Sequence, residues 1–214
     1  MSKLIPIKKV NVFYDDIQSF NDATQSIDLK TNEQIKKILI IKWGGMGDVI
    51  LSTAVMEDIH NSFKNADLHL NTLPQWQSIF LNDKRFTKIW GSESAKKVGS
   101  LKHLYEWIKN VKAENYDLII DLQTNDRTRI YLSILRFIKL SPKYISGNHP
   151  VFPYSIFSHS KDKSNHPFTL LQKNINSFGV PSKTLKPKIY YSNKDKTDAL
   201  NLMKKNKLIK DKFI

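Results

Sequence analysis

Seven consecutive residues, Lys42-Trp43-Gly44-Gly45-Met46-Gly47-Asp48, gather the groups in this chain best able to do chemistry. Three glycines within four positions permit positive φ and close approach of backbone to a ligand. If a helix begins there, its unpaired N–H groups and positive dipole end suit an anionic or polyhydroxyl ligand. Taken alone, Asp48 has a plainer reading as a helix N-cap, a position worth about 1 kcal/mol. Lys42 divides the same way, between an anion-binding group and a charge at a strand end. A second cluster, Gln123, Asn125, Asp126, Arg127 and Arg129, includes two guanidinium groups whose bidentate fork fits phosphate or carboxylate. An exposed surface role is the equal alternative for these arginines.

Such groups need elements to hold them. Ile38-Leu39-Ile40-Ile41 is continuously apolar, as a strand buried on both faces of a parallel sheet would be, and it ends at the glycines. Val49, Ser52, Met56, Ile59 and Phe63 follow in steps of three and four, giving one mostly apolar helix face. Leu68-His69-Leu70 begins a second strand, Pro74 opens a short helix through Phe80, and 86–90 forms a third strand closed by Gly91. Leu101, Leu104, Ile108 and Val111 repeat the helical spacing, and 116–122 is the next buried strand. A helix over about 127–140 is stopped by Pro142, and 144–147 is a brief fifth strand. After a loop rich in Pro, Ser and His, the residues Phe168, Leu171, Ile175 and Phe178 mark a further helix ended by Gly179 and Pro181.

Strands separated by helical patterns of this length require crossovers and a parallel sheet covered on both faces. The expected fold is therefore α/β, a doubly wound parallel sheet of Rossmann-like form, over residues 36–185. Residues 1–35 read as an N-terminal extension with a short strand at 10–14; 186–214 read as a linker, a polar helix at 194–206 and the start of another domain's strand at 212–214. In an open parallel sheet the ligand crevice lies beyond the carboxyl ends of the strands, so the 42–48 turn and the 123–129 cluster are expected to face one site.

Composition narrows the chemistry. Forty per cent apolar and 11% aromatic residues describe a globular chain. Thirty-four Lys and Arg against 20 Asp and Glu give a net charge of +14, which points to an anionic partner. No contiguous basic arm follows a nucleic-acid backbone, so an acidic glycolipid is preferred and nucleic acid set aside. The absence of cysteine excludes disulfides and thiol nucleophiles, and His60, His69, His103, His149, His159 and His166 show no metal-site spacing, so no metal is expected. No segment reaches the ~20 apolar residues of a membrane span, which leaves peripheral contact. Gly45-Met46-Gly47-Asp48-Val49-Ile50 only half matches the dinucleotide fingerprint, since Ile50 replaces the third glycine and no acid closes the second strand at Asn71. A P-loop is excluded because no Lys-Ser/Thr pair follows the glycines. The tryptophans Trp43, Trp76, Trp90 and Trp107 read as packing, with Trp43 open to either packing or sugar stacking.

The run Lys37-Ile38-Leu39-Ile40-Ile41-Lys42-Trp43-Gly44-Gly45-Met46-Gly47-Asp48-Val49-Ile50-Leu51-Ser52-Thr53-Ala54 resembles the opening of glycosyltransferase family 9, the lipopolysaccharide heptosyltransferases. A later Tyr-Asp-Leu-Ile-Ile-Asp-Leu-Gln strand is similar to that family in the same order, so the resemblance spans roughly 36–180. It implies the N-terminal, acceptor-side half of a GT-B enzyme, whose C-terminal half binds a nucleotide-sugar, ADP-heptose in most members. The family's single base is the aspartate of the Gly-Asp turn, which falls on Asp48. It would take the acceptor hydroxyl's proton during inverting transfer of a heptose or related sugar to a lipid A core acceptor. Lys42, Gly44, Gly45, Gly47, Gln123, Asn125, Arg127 and Arg129 would then line the acceptor side. The resemblance further implies a bacterial, cytoplasmic, monomeric enzyme, peripheral at the inner face of the cytoplasmic membrane. With the donor half absent from the 214 residues, this chain alone is expected to be inactive. The alternatives are a non-catalytic glycolipid- or sugar-binding module and a Rossmann nucleotide-binding oxidoreductase.

Overall fold

The computed structural model describes residues 27–92, 101–158, 166–206 and 208. The strands expected at 10–14 and 212–214, and His159, lie outside them. Six strands, β1 (Lys37–Ile41), β2 (Asp67–Thr72), β3 (Lys88–Gly91), β4 (Leu118–Asp121), β5 (Tyr144–Gly147) and β6 (Ile156–Phe157), form one sheet in the order β3-β2-β1-β4-β5-β6. Every pairing in it is parallel. The α/β, doubly wound expectation holds, and the order is the one in which the chain turns back between β1 and β4.

Two cores explain why β1 and β4 are apolar throughout. On one face Ile38, Ile40, Leu68, Leu70, Leu118 and Ile120 meet Val55, Met56 and Ile59 of α1 (Met46–Ser62) and Leu171 and Ile175 of α4 (Pro167–Asn176). On the other, Leu39, Ile41, Ile119 and Ile145 meet Trp107 and Val111 of α2 (Leu101–Glu114) and Tyr131, Leu132 and Leu135 of α3 (Asp126–Phe137). With a helix layer on each side, neither strand face needs polar residues. The short helix expected at 74–80 is a 3-10 helix, Pro74–Phe80.

Several elements depart from the sequence pattern. The apolar spacing on α2 predicts Leu101 on the buried face, yet Leu101 is 81% exposed and Trp107 is buried instead. The indole N–H of Trp107 donates to Asn71 Oδ1 at 3.0 Å, so a large ring with a polar handle sets the helix's rotation. Helix α3 ends at Phe137, short of Leu140, and Lys139 beyond it takes the left-handed region at φ 59°. The loop rich in Pro, Ser and His contains β6, two residues long and therefore without a readable period. Leu29, assigned to the extension, is buried and donates its backbone N–H to Phe178 O at 3.0 Å. Packing thus begins before residue 36.

The segment at 182–191, of which the sequence reads 187–191 as a strand or linker, is held to the α1 side by side chains instead of strand pairing. Asp58 accepts from the backbone N–H groups of Lys183 and Thr184, and Thr53 Oγ1 accepts from Lys188 N–H at 2.9 Å. Buried Arg85, ion-paired with Asp83 and Glu57, donates to Lys188 O at 3.1 Å. The terminal helix α5 (Asn193–Lys205) follows, and none of its residues is buried.

Candidate functional site

Strands β1 and β4 are hydrogen-bonded neighbours whose following helices, α1 and α3, leave onto opposite faces of the sheet. A crevice opens at such a switch point because the two connections diverge. The turn after β1 forms one lip and the turn after β4 the other.

On the β1 lip, Trp43 is a core residue. Its ring lies edge-on to Trp107 and Tyr131, at centroid separations of 6.3 and 5.6 Å, and its indole N–H donates to Asn71 Oδ1 at 2.8 Å. That settles packing against sugar stacking. Trp76 donates its indole N–H to Gly44 O at 3.0 Å, pinning the turn from the side. Asn71 is committed internally, accepting from two indoles and donating to Trp90 O. The end of β2, where a dinucleotide fold keeps a ribose-binding acid, therefore offers no such group.

The glycines act differently from the sequence expectation. None of Gly44, Gly45 and Gly47 has a positive φ; the positive-φ glycine among the described residues is Gly179. What they supply is space. A Cβ on Gly45 or Gly47 would meet nothing within 4 Å, so both face open space, whereas one on Gly44 would come to 3.1 Å from both Asp48 Oδ2 and Gln123 Oε1. Gly44 thereby lets Asp48 and Gln123 converge, and Gln123 Oε1 also accepts the backbone N–H of Trp43 at 3.2 Å.

Asp48 is not the N-cap; Gly45 is. Asp48 stands three residues further in, within the first turn of α1, exposed, where the helix dipole favours a carboxylate. Among the described residues its carboxylate accepts no hydrogen bond. Lys42 is placed otherwise than expected for a residue meeting an acceptor. It is 6% exposed, and its ammonium donates to Leu122 O at 3.1 Å, tying β1 to β4. Burial pushes its pKa down from 10.5, while Asp48 and Asp121 pull it back up.

The β4 lip is organised by Asp121, which the sequence reading left out of the site. It is fully buried, its Oδ1 accepting the backbone N–H groups of Gln123 and Thr124 at 2.9 Å each and its Oδ2 accepting from the Tyr154 hydroxyl at 2.7 Å. Burial raises its pKa against the pull of those donors, and burial likewise raises that of Tyr154. The network holds Thr124 in the left-handed region at φ 43°. An acid closing an apolar strand was the signal in Asp117-Leu118-Ile119-Ile120-Asp121; nothing in the sequence pointed to Tyr154. Asn125 is the N-cap of α3, its Oδ1 accepting Thr128 N–H at 3.0 Å. Arg129 pairs with Asp126 at 2.7 Å on the surface. Arg127, half-buried in the first turn, has no hydrogen-bond or ion-pair partner among the described residues. The structure thus brings Lys42, Gly44, Asp48 and Gln123 together, gives Asn125 and Arg129 local partners, and leaves Arg127 without a partner among the described residues. No group of three or more His, Asp or Glu among the described residues could hold a metal ion.

Fold and crevice together define a doubly wound α/β domain with an open carboxylate at its switch point. No family model and no curated protein matches the chain. Solved structures do. The chain is similar to the glycosyl transferase family 9 protein of Veillonella parvula, with a TM-score of 0.66 and 16% identity over 82% of this chain and 51% of that one. It is also similar to E. coli heptosyltransferase WaaC with ADP-2-deoxy-2-fluoro heptose, at TM-score 0.52 and 15% identity over 70% of this chain and 51% of that one. A third likeness is to E. coli ADP-heptose LPS heptosyltransferase II, at 0.53 and 13% over 78% and 50% respectively. The chain spans about half the length of these structures, and it shares the fold of that half.

Proposed function

We propose that this chain is the acceptor-binding half of an inverting glycosyltransferase of family 9, with Asp48 as its base. The observation that carries the reading is the placement of Asp48: exposed at a switch-point crevice, at the start of α1, beside Gly44 and Gln123, with no donor to its carboxylate among the described residues. A base must keep a lone pair free for the proton it removes, and Asp48 does. In the reaction, an acceptor hydroxyl oxygen forms a bond to the sugar's anomeric carbon from the face opposite the nucleotide. The carbon–oxygen bond to the diphosphate breaks with its electron pair staying on the leaving group, and the hydroxyl proton passes to Asp48. Gly45 and Gly47 leave room for the acceptor, and Arg127 offers an unpaired cation to an anionic one. The donor, a nucleotide-sugar such as ADP-heptose, would be held by the further half present in the longer relatives; the acceptor would be an anionic glycolipid of the lipid A core type, reached from the cytoplasmic side of a membrane.

The test uses the protein joined to its donor-binding half. Asp48→Asn keeps shape and removes basicity, so turnover of nucleotide-sugar into nucleotide diphosphate should fall by about 10²- to 10⁴-fold with an unchanged thermal midpoint. Unchanged turnover in a folded Asp48→Asn protein would remove Asp48 as the base.

A further inference from the structure

Helix α3 is apolar on two flanks, and one of them is largely exposed among the described residues. Tyr131, Leu132 and Leu135 are buried against the sheet, while Ile130, Ile134, Phe137 and Ile138 follow the spacing i, i+4, i+7, i+8 that places them on a second common face. Phe137 is 84% exposed, Ile130 49% and Ile138 43%. The neighbouring helix continues the surface. Trp107 of α2 meets Tyr131 of α3 at a ring separation of 5.4 Å, so the two helices lie side by side, and α2 exposes Leu101 at 81% and Tyr105 at 68%. Exposed apolar residues scattered singly need no explanation; a contiguous set on adjacent helices does.

The charges around this set select its occupant. Arg127 stands at the crevice end of the α3 stripe and Lys139 beyond its other end; Lys102, Lys109 and Lys112 are exposed on α2. Glu106 is the one exposed acid on α2, and the acid of α3, Asp126, is ion-paired with Arg129. Apolar side chains between basic ones match an anionic bilayer, where rings and aliphatic groups enter the acyl boundary and each Lys or Arg near the surface gains from the negative potential. A second copy of the chain, with the same +14 charge, would bring like charges together. No helix among the described residues is long and apolar enough to cross a membrane, so contact would be with its surface.

We propose that the outer flank of α3, continued by the exposed end of α2, docks this protein onto an anionic lipid bilayer, with the crevice of Asp48 at the end of the docked face. This deepens the transferase reading and rests on it for what docking achieves: a lipid-anchored acceptor could present its sugar to Asp48 while its acyl chains stay in the bilayer.

The test is flotation of the chain with vesicles of phosphatidylcholine alone and with about one third phosphatidylglycerol. Binding to the anionic vesicles alone, weakened by salt, is expected. Phe137→Glu together with Ile130→Glu should lower it by at least about tenfold with thermal unfolding unchanged, since both side chains are exposed. Equal binding to both lipids, no binding, or a double variant that binds as the parent does would overturn the proposal. Sedimentation showing self-association that the same variant abolishes would also overturn it, in favour of a second copy. Vesicle binding is read without turnover, so the two readings fail separately. Docking without an effect of Asp48→Asn sinks the transferase reading alone; an Asp48-dependent turnover without docking sinks this one.

Discussion

The two ends of the sheet treat their charges in opposite ways. At the N-terminal end, Glu114 accepts from Lys37 at 3.1 Å and Lys88 at 2.6 Å, His69 Nδ1 lies 2.9 Å from the Tyr116 hydroxyl, and Asp117 accepts the backbone N–H groups of Lys36 and Lys37. At the carboxyl end, Asp121 is paired just as fully, but Asp48 and Arg127 on the rim have no hydrogen-bond partners among the described residues, and Gly45 and Gly47 face open space. Charges that satisfy each other hold strands in register; charges left unsatisfied at a crevice are free for a ligand. The difference separates a structural polar cluster from a candidate site better than charge density does, since both ends are rich in charge.

Substitutions can break this contrast. The largest effect expected is the loss of turnover in Asp48→Asn without loss of stability. Next, Asp121→Ala should cost about 3 kcal/mol in urea unfolding, because it strands the Tyr154 hydroxyl and two backbone N–H groups in the interior. The ends also differ in the sign of their pH dependence. Burial raises the folded pKa of Asp121 above its ordinary 3.8, so the folded chain keeps that proton longer than the unfolded one. Asp121 alone then makes stability fall as pH rises above 3.8, and Asp121→Asn should remove that slope. Glu114 works the other way. Hydrogen bonds from Lys88 and Lys37 lower its pKa from 4.5 to about 2, so its contribution is full above 4.5 and fades as pH falls towards about 2. Glu114→Gln should cost about 0.5–1 kcal/mol at neutral pH, the scale of a partly screened ion pair, and progressively less as pH falls through about 2. The smallest effect is on Gly47, a helical glycine with open space around it. Gly47→Ala should raise stability by about 0.5–1 kcal/mol while weakening acceptor binding, measured by unfolding and by titration with the glycolipid. Loss of stability there would mean that the rim is packed and not open.

Much of the fold was legible because periodicity is local. The apolar run at 38–41, the three-and-four spacing from Val49 to Phe63 and the strand at 144–147 each carry their own signal, and all three elements formed. The sequence also placed the Gly-Asp turn and the Gln123 cluster on one crevice, because both follow buried strands. What it could not decide was which members of those groups face the ligand. Lys42 turned inward, where its ammonium donates a hydrogen bond to Leu122 O, 80 residues away; Asp121 became the keystone of the second lip through Tyr154, 33 residues away. The rotation of α2 was likewise decided by an indole hydrogen bond to Asn71, which left Leu101 exposed. In short, the sequence by itself determined the order of elements and the residue types at the crevice. Tertiary structure decided burial and pairing, because these depend on partners that only the packed sheet brings within hydrogen-bond distance.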